Sequence, residues 1–262
     1  GLSIAGAAYQ GMFKNPMVSP DILGASAGAG FGACLAMLME LPTVYVQMFS
    51  FCGGILAVFI AATATRRFSM DPILGLVLGG MMVSTLFQSG TSTIKILADA
   101  DNKLPQITFW LMGSFNVMNK AKLFSILIPI GAGFLILFLV RWQLNVLSFG
   151  EDEASSLGIK TKRIRSMVII ASTLITASCV SVCGMVGWVG LVIPHLVRSV
   201  VGPDHRKLVP LATLFGAIFL IWVDVGARII KPPAEIPVGI LTAFLGAPLF
   251  LWMIKVRRYE FQ

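Results

Sequence analysis

Gly24-Ala25-Ser26-Ala27-Gly28 has the spacing of a nucleophile elbow, in which a serine stands between small residues at a sharp turn. Paired with His195 on a later apolar segment, Ser26 would make an intramembrane serine protease. That chemistry needs a strand-to-helix elbow, or an equivalent oriented Ser–His contact. Here the serine lies in a run of almost uniformly small residues, where the pattern arises easily without chemistry. Acyl transfer therefore stands as the minor alternative.

Other reactive groups are scattered. Cys179 and Cys183 are four residues apart in an apolar stretch, and Cys34 and Cys52 lie within others. Free cysteines in such settings pack as small hydrophobes, and no ligand spacing joins them to His195 or His205. The Gly-Ala-Gly-Phe-Gly run at 28–32 follows no strand, so it is not a dinucleotide fingerprint. No phosphate-cradling GxxxxGK[ST] loop occurs. If the chain drives active transport, an ion gradient or a partner ATPase supplies the energy. Asp224 and Arg228 stand i, i+4 and read either as a local ion pair or as an outward cation that meets a partner. Glu235, between prolines, is placed to cap the last apolar segment.

The elements that hold these residues follow from composition. Of 262 residues, 56% are hydrophobic and 12% charged, and the mean hydropathy is +0.87. A soluble domain is nearer about 25% charged, so lipid is the expected solvent. The net charge of +8 is explained by basic cytoplasmic loops rather than by nucleic acid. Apolar segments of span length fall at about 1–13, 22–39, 42–65, 72–97, 122–147, 164–185, 186–201, 208–230 and 236–255. Their lack of a period of two predicts an all-α polytopic protein and no barrel. The amphipathic piece at 106–115 is too short to span and is expected to re-enter or to lie at the interface. With 148–166 placed inside, 14 of the 20 Lys and Arg residues fall on the inner side. The C-terminus is then cytoplasmic. The chain begins at Gly1 without a start methionine and reads as lacking its natural N-terminus, with about nine of about ten spans visible.

Two stretches carry more information. In residues 9–33, Pro16 and Pro20 break the chain, and Asn15 and Asp21 suit caps and turns. Gly24, Gly28 and Gly32 form one small-residue stripe, and Ser26, Gly30 and Cys34 a second. Such stripes let helices approach closely, or make a smooth wall for a bulky solute. Residues 148–166 are the long soluble-looking island. Acids at 151–153 suit the first turn of a short helix, and Gly158 suits its end. The island is either a solvated loop or a docking helix for a cytoplasmic protein.

The chain resembles the permease subunits of the iron-siderophore, haem and vitamin B12 importers, the FecCD/BtuC-type or type II ABC importers. The resemblance runs from Gly1 to about Arg258. It rests on QGMFKNPMVSPDILGASAGA at 10–29, FWLMGSF at 109–115, LSFGEDEASSLG at 147–158, GWVGLVIPHLVR at 187–198, GPDHR at 202–206 and EIPVGILTAFLGAPLF at 235–250. Each is weak alone; in this order and spacing they are specific.

The resemblance implies a single transmembrane permease domain over 1–262, with a cytoplasmic coupling loop at 148–166. In that loop Gly150, Glu151, Ala154, Leu157 and Gly158 would dock in a cleft of the ATP-binding subunit. Two permease copies, two ATP-binding subunits and an outer solute-binding protein would assemble in a bacterial or archaeal cytoplasmic (inner) membrane. The chain itself would bind no cofactor and no metal, with ATP and Mg on the partner subunit. The path would run at the dimer interface past Gly79, Ser84 and Gln88, past Trp110, Gly113 and Ser114, and past a gate at Ser26, Ala27, Gly28 and Gly30. Arg228 would meet the binding protein. The implied cargo is an iron-siderophore, haem, cobalamin, or an oxyanion such as molybdate or tungstate. Most relatives carry ferric siderophores, haem or cobalamin, so a chelate is the leading expectation, although the wording of 9–29 looks most like the branch that includes molybdate and tungstate importers. An ion-coupled secondary transporter is the alternative, and it would require ionisable residues at mid-span, of which Asp224 is the main example.

Overall fold

A computed structural model describes residues 1–65, 72–116, 118–230 and 235–259. Arg66, Arg67 and Lys231, used in the charge count above, lie outside the described residues. So does the side chain of Glu151. The described residues form helices α1 to α12 and one 3-10 turn, with no strand among them.

Two helices form the centre. α1 (Leu2–Met12) is buried along its whole length, and α9 (Thr161–Cys183) is buried over two thirds of its apolar window. Helices enclosed on all sides need no polar face. Several of the hydroxyls α9 carries are satisfied within the helix, Thr173 donating to the Ile169 carbonyl (2.7 Å) and Ser178 to that of Leu174 (2.6 Å), whereas those of Ser172 and Thr176 are buried without a partner among the described residues. Around this centre stand α3 (Thr43–Thr65), α4 (Pro72–Leu97), α6 (Lys120–Leu139) and α11 (His205–Ile229). The outward faces of α3, α6 and α11 are dressed in Phe59, Ile128 and Trp222, each well exposed. That is the surface lipid requires.

The structure corrects several expected spans. The segment expected at 22–39 begins as a 3-10 turn (Pro20–Leu23), and α2 occupies only Ala25–Leu38. Ser19, not Asp21, caps the turn, accepting from the Asp21 amide at 3.3 Å. Asn15 does make a local turn, accepting from the Met17 amide at 2.9 Å. The segment at 122–147 divides at Val140 into α6 and α7 (Arg141–Phe149). The segment at 186–201 shortens to α10 (Val189–Val201), after an irregular link at 184–188. The last span is α12 (Val238–Tyr259). The short piece at 106–115 forms α5 (Lys103–Leu111).

Among the described residues, five helices are long and apolar enough to cross a membrane, while α2 and α10 are short apolar helices of 14 and 13 residues. At about 1.5 Å per residue, each of the short pair covers roughly 20 Å. Gly28 shows where α2 sits. A Cβ on it would lie 2.3 Å from the Gly53 carbonyl oxygen, near the middle of α3. One on Gly32 would lie 2.1 Å from the carbonyl of Phe49. The Gly28–Gly32 stripe therefore packs backbone against backbone on α3.

Irregular backbone at membrane depth must be satisfied by protein. The link after α9 meets this condition at a crossing of three segments. The Ser114 amide donates to the Cys183 carbonyl (2.8 Å), that of Val238 to Gly113 (2.9 Å) and that of Gly239 to Met112 (3.1 Å). Gly113 has φ +75, and a Cβ there would stand 2.5 Å from the Met185 carbonyl oxygen. The crossing therefore requires glycine on both counts.

Candidate functional site

A groove of about 480 Å3 lies between α2 and α4. Its walls are Asp21, Ser26, Ala27 and Gly30 on one side, and Ser84, Gln88, Thr91, Ser92 and Lys95 on the other. Leu111 and the 185–187 link close the back. The α4 residues fall at i, i+4, i+7, i+8 and i+11, which is one face of a helix. Thr91 and Ser92 donate to the Phe87 and Gln88 carbonyls (2.9 and 3.0 Å). Ser84, Gln88 and Lys95 have no hydrogen-bond or ion-pair partner among the described residues.

The C-terminal half of α4 is polar beyond this groove. Thr85, Gln88, Ser89, Ser92 and Thr93 are all exposed. Lipid does not tolerate such a face cheaply.

A second cavity, of about 880 Å3, opens beyond α5. Glu40, Gln47, Lys103, Gln106, Trp110 and Ser114 are among its walls. Its residues come from the loops and helix ends that the charge count places outside. Lys103 donates to Glu40 (2.7 Å) and to the Leu38 carbonyl (3.2 Å), tying α5 to the C-terminal end of α2. That bond holds the Glu40 carboxyl below its ordinary value. The crossing of Gly113, Cys183 and Val238 stands between the two cavities.

The predicted path residues thus divide. Ser26, Ala27, Gly30, Ser84 and Gln88 line the groove, and Trp110 and Ser114 line the outer cavity. Gly113 lies at the crossing. Gly28 packs on α3, and Gly79 is buried on α4 outside both cavities. Ser26 donates to Asp21. His195 instead stacks edge-on against Phe250 of α12, 6.3 Å between centroids. The nucleophile–base pair is therefore not assembled.

At the opposite end, α7 meets α8 (Glu151–Ser156) at Gly150. Gly158 has φ +77, and α8 closes with the Gly158 amide on the Ser155 carbonyl (2.9 Å) and the Ile159 amide on that of Ala154 (3.0 Å). This is a Schellman stop. Ala154 is buried, whereas Leu157 is 67% exposed and Phe149 79%. Asn145 of α7 clasps the start of α11. It accepts from the His205 amide (2.7 Å) and donates to Asp204, which caps α11 by accepting from Arg206 (2.9 Å).

Arg228 takes both sequence readings further. It donates to Asp224 (3.0 and 3.3 Å) and to Glu235 (3.4 Å), while its side chain stays 45% exposed. Glu235 therefore serves this ion pair.

Sequence reasoning missed Phe149, the Asn145–Asp204 clasp and the Thr91–Ser92–Lys95 part of the α4 face. The helical spacing of the last was a usable signal.

A bundle with short apolar helices beside full-length ones, a polar groove and a helical loop at one end defines a membrane permease. The FecCD transport family model matches residues 1–256. The chain is 41% identical over 261 residues to the molybdate import system permease protein MolB of Haemophilus influenzae, covering 98% of this chain and 77% of that one. It is 36% identical to the cobalamin import system permease protein BtuC of Halobacterium salinarum, covering 98% and 69%. A solved inward-facing structure described as a metal-chelate type ABC transporter superposes with a TM-score of 0.92 at 38% identity, covering 97% and 81%.

The chain belongs to the FecCD transport family. It is the membrane-spanning permease subunit of an ATP-driven importer, not an enzyme. Separate ATP-binding subunits hydrolyse ATP, and the family acts with a binding protein.

Proposed function

We propose that two copies of this chain pair across the polar face of α4, and that the paired grooves carry a tetrahedral metal oxyanion such as molybdate or tungstate inward. One observation carries the reading: the exposed C-terminal half of α4 is hydroxyl- and amide-rich where a lipid-facing helix would be apolar. A second copy and a water-filled path between the two would cover that face. Lys95 on the same face and the likeness to the molybdate permease favour an anion. The likeness to a metal-chelate type transporter favours a chelate as the second reading.

On this reading the complex sits in the cytoplasmic membrane of a prokaryote with the C-terminus inside. ATP-binding subunits dock on Gly150, Glu151, Ala154, Leu157 and Gly158 together with Phe149, and the binding protein docks near Arg228. The chain holds no cofactor of its own, and ATP and Mg belong to the partner.

Crosslinking tests the pairing. Ser89→Cys in a cysteine-free background should yield a disulfide-linked dimer on mild oxidation in membranes. Ile128→Cys, on the exposed face of α6, should not. A monomer in both cases overturns the α4 interface. Uptake of labelled molybdate, and of a ferric siderophore, into vesicles holding the complete complex tests the cargo.

A further inference from the structure

The three unpartnered donors of the groove form a ladder. Ser84, Gln88 and Lys95 all sit on the α4 face, and their hydrogens are uncommitted among the described residues. Thr91 and Ser92 between them already donate to the helix backbone. At about 1.5 Å per residue the ladder is roughly 16 Å long. That exceeds the reach of a single oxyanion, so the donors act in sequence rather than as one cage.

Lys95 stands at the outer end, in the last turn of α4. An ammonium in a cleft with low-dielectric walls concentrates anions and repels cations. The hydroxyl of Ser84 and the amide of Gln88 can replace water around an oxyanion without adding charge. At the inner end, the Asp21 carboxyl is engaged by Ser26. Attraction is therefore confined to the outer groove, and an anion is not trapped at its base. Passage needs a site attractive enough to enter and weak enough to leave.

We propose that Lys95 is the entry cation and specificity determinant of this groove, passing a divalent tetrahedral oxyanion to Gln88 and Ser84. The proposal rests on the oxyanion reading above and adds the residues that enforce it. The expected signature is electrostatic. Added salt should slow uptake by the wild-type complex, through screening of Lys95.

The test uses proteoliposomes holding the complete complex with its binding protein and labelled molybdate. Lys95→Gln should lower initial uptake by about tenfold or more, the loss of one charge-assisted contact, and should flatten the salt dependence. Lys95→Arg should restore both, which a purely packing role would not predict. Co-purification of the ATP-binding subunits with each variant checks folding. If Lys95→Gln takes up molybdate at the wild-type rate with wild-type salt dependence, the ladder is wrong and the oxyanion reading stands. If the wild type takes up no oxyanion but does take up a ferric siderophore, both are wrong.

Discussion

Asp204 shows how a single residue at the inner end is held. Its carboxylate accepts from the Arg206 amide first and from Asn145 second, and both hold its pKa below the ordinary value near 3.8. A carboxylate with a lowered folded-state pKa stabilises the fold above its unfolded pKa, and the contribution is lost as pH falls through the folded value. The contribution is therefore complete at neutral pH and fades only in acid. Asp204→Asn should keep part of the cap while removing this acid sensitivity. Melting of the purified complex from pH 7 down to pH 3 reads it, and identical acid profiles would show that Asp204 carries no such linkage. Gly113 is the other position where one side chain decides. Gly113→Ala forces a Cβ to 2.5 Å from the Met185 carbonyl oxygen at φ +75. Strain of this kind costs on the order of 1–3 kcal/mol, so a lower melting temperature is expected. An unchanged one would mean that the crossing yields freely.

Among the elements, α8 was the most legible. Acids at its start and Gly158 at its end were enough to mark a short helix. Leu157 does stand exposed, and Phe149 stands beyond it as a second exposed apolar residue. The sequence hid Phe149 because an apolar residue at the end of an apolar segment looks like the membrane span continuing. Only the break at Val140 separates α7 from α6. Leu157→Asp should weaken capture of the ATP-binding subunit by on the order of 2–4 kcal/mol, which is about thirtyfold to a thousandfold in affinity. Phe149→Ala should weaken it too, with docking of the binding protein at the other end unchanged. Co-purification at wild-type yield for both variants would move the coupling surface elsewhere. α2 was half legible. Its glycine stripes predicted close packing, yet periodicity could not show that Pro20–Leu23 is a separate turn, because small residues pattern alike in both.

At the scale of the whole molecule, the count of apolar segments gave the helical class and the order of elements. The lengths did not follow, since hydropathy counts apolar residues and not helical turns. The irregular link at 184–188 reads as apolar sequence, and only the surrounding backbone groups explain it. The missing phosphate loop remains the firmest whole-chain inference. The purified chain without its partners should take up no label from azido-ATP above background; specific labelling would contradict its role as a transport subunit alone. The shortness of α2 also has an electrical consequence. Gly28 abuts the middle of α3, so, on the proposed orientation and with the groove open outward and filled with water, the outer solution would reach about mid-membrane at Ser26. On that arrangement the transmembrane voltage would fall mainly across the inner half. A divalent oxyanion entering a negative interior works against about 4.6 kcal/mol per 100 mV. On the oxyanion reading that load lies below Ser26, in the stretch that ATP-driven movement has to open, and the outer groove fills nearly independently of voltage.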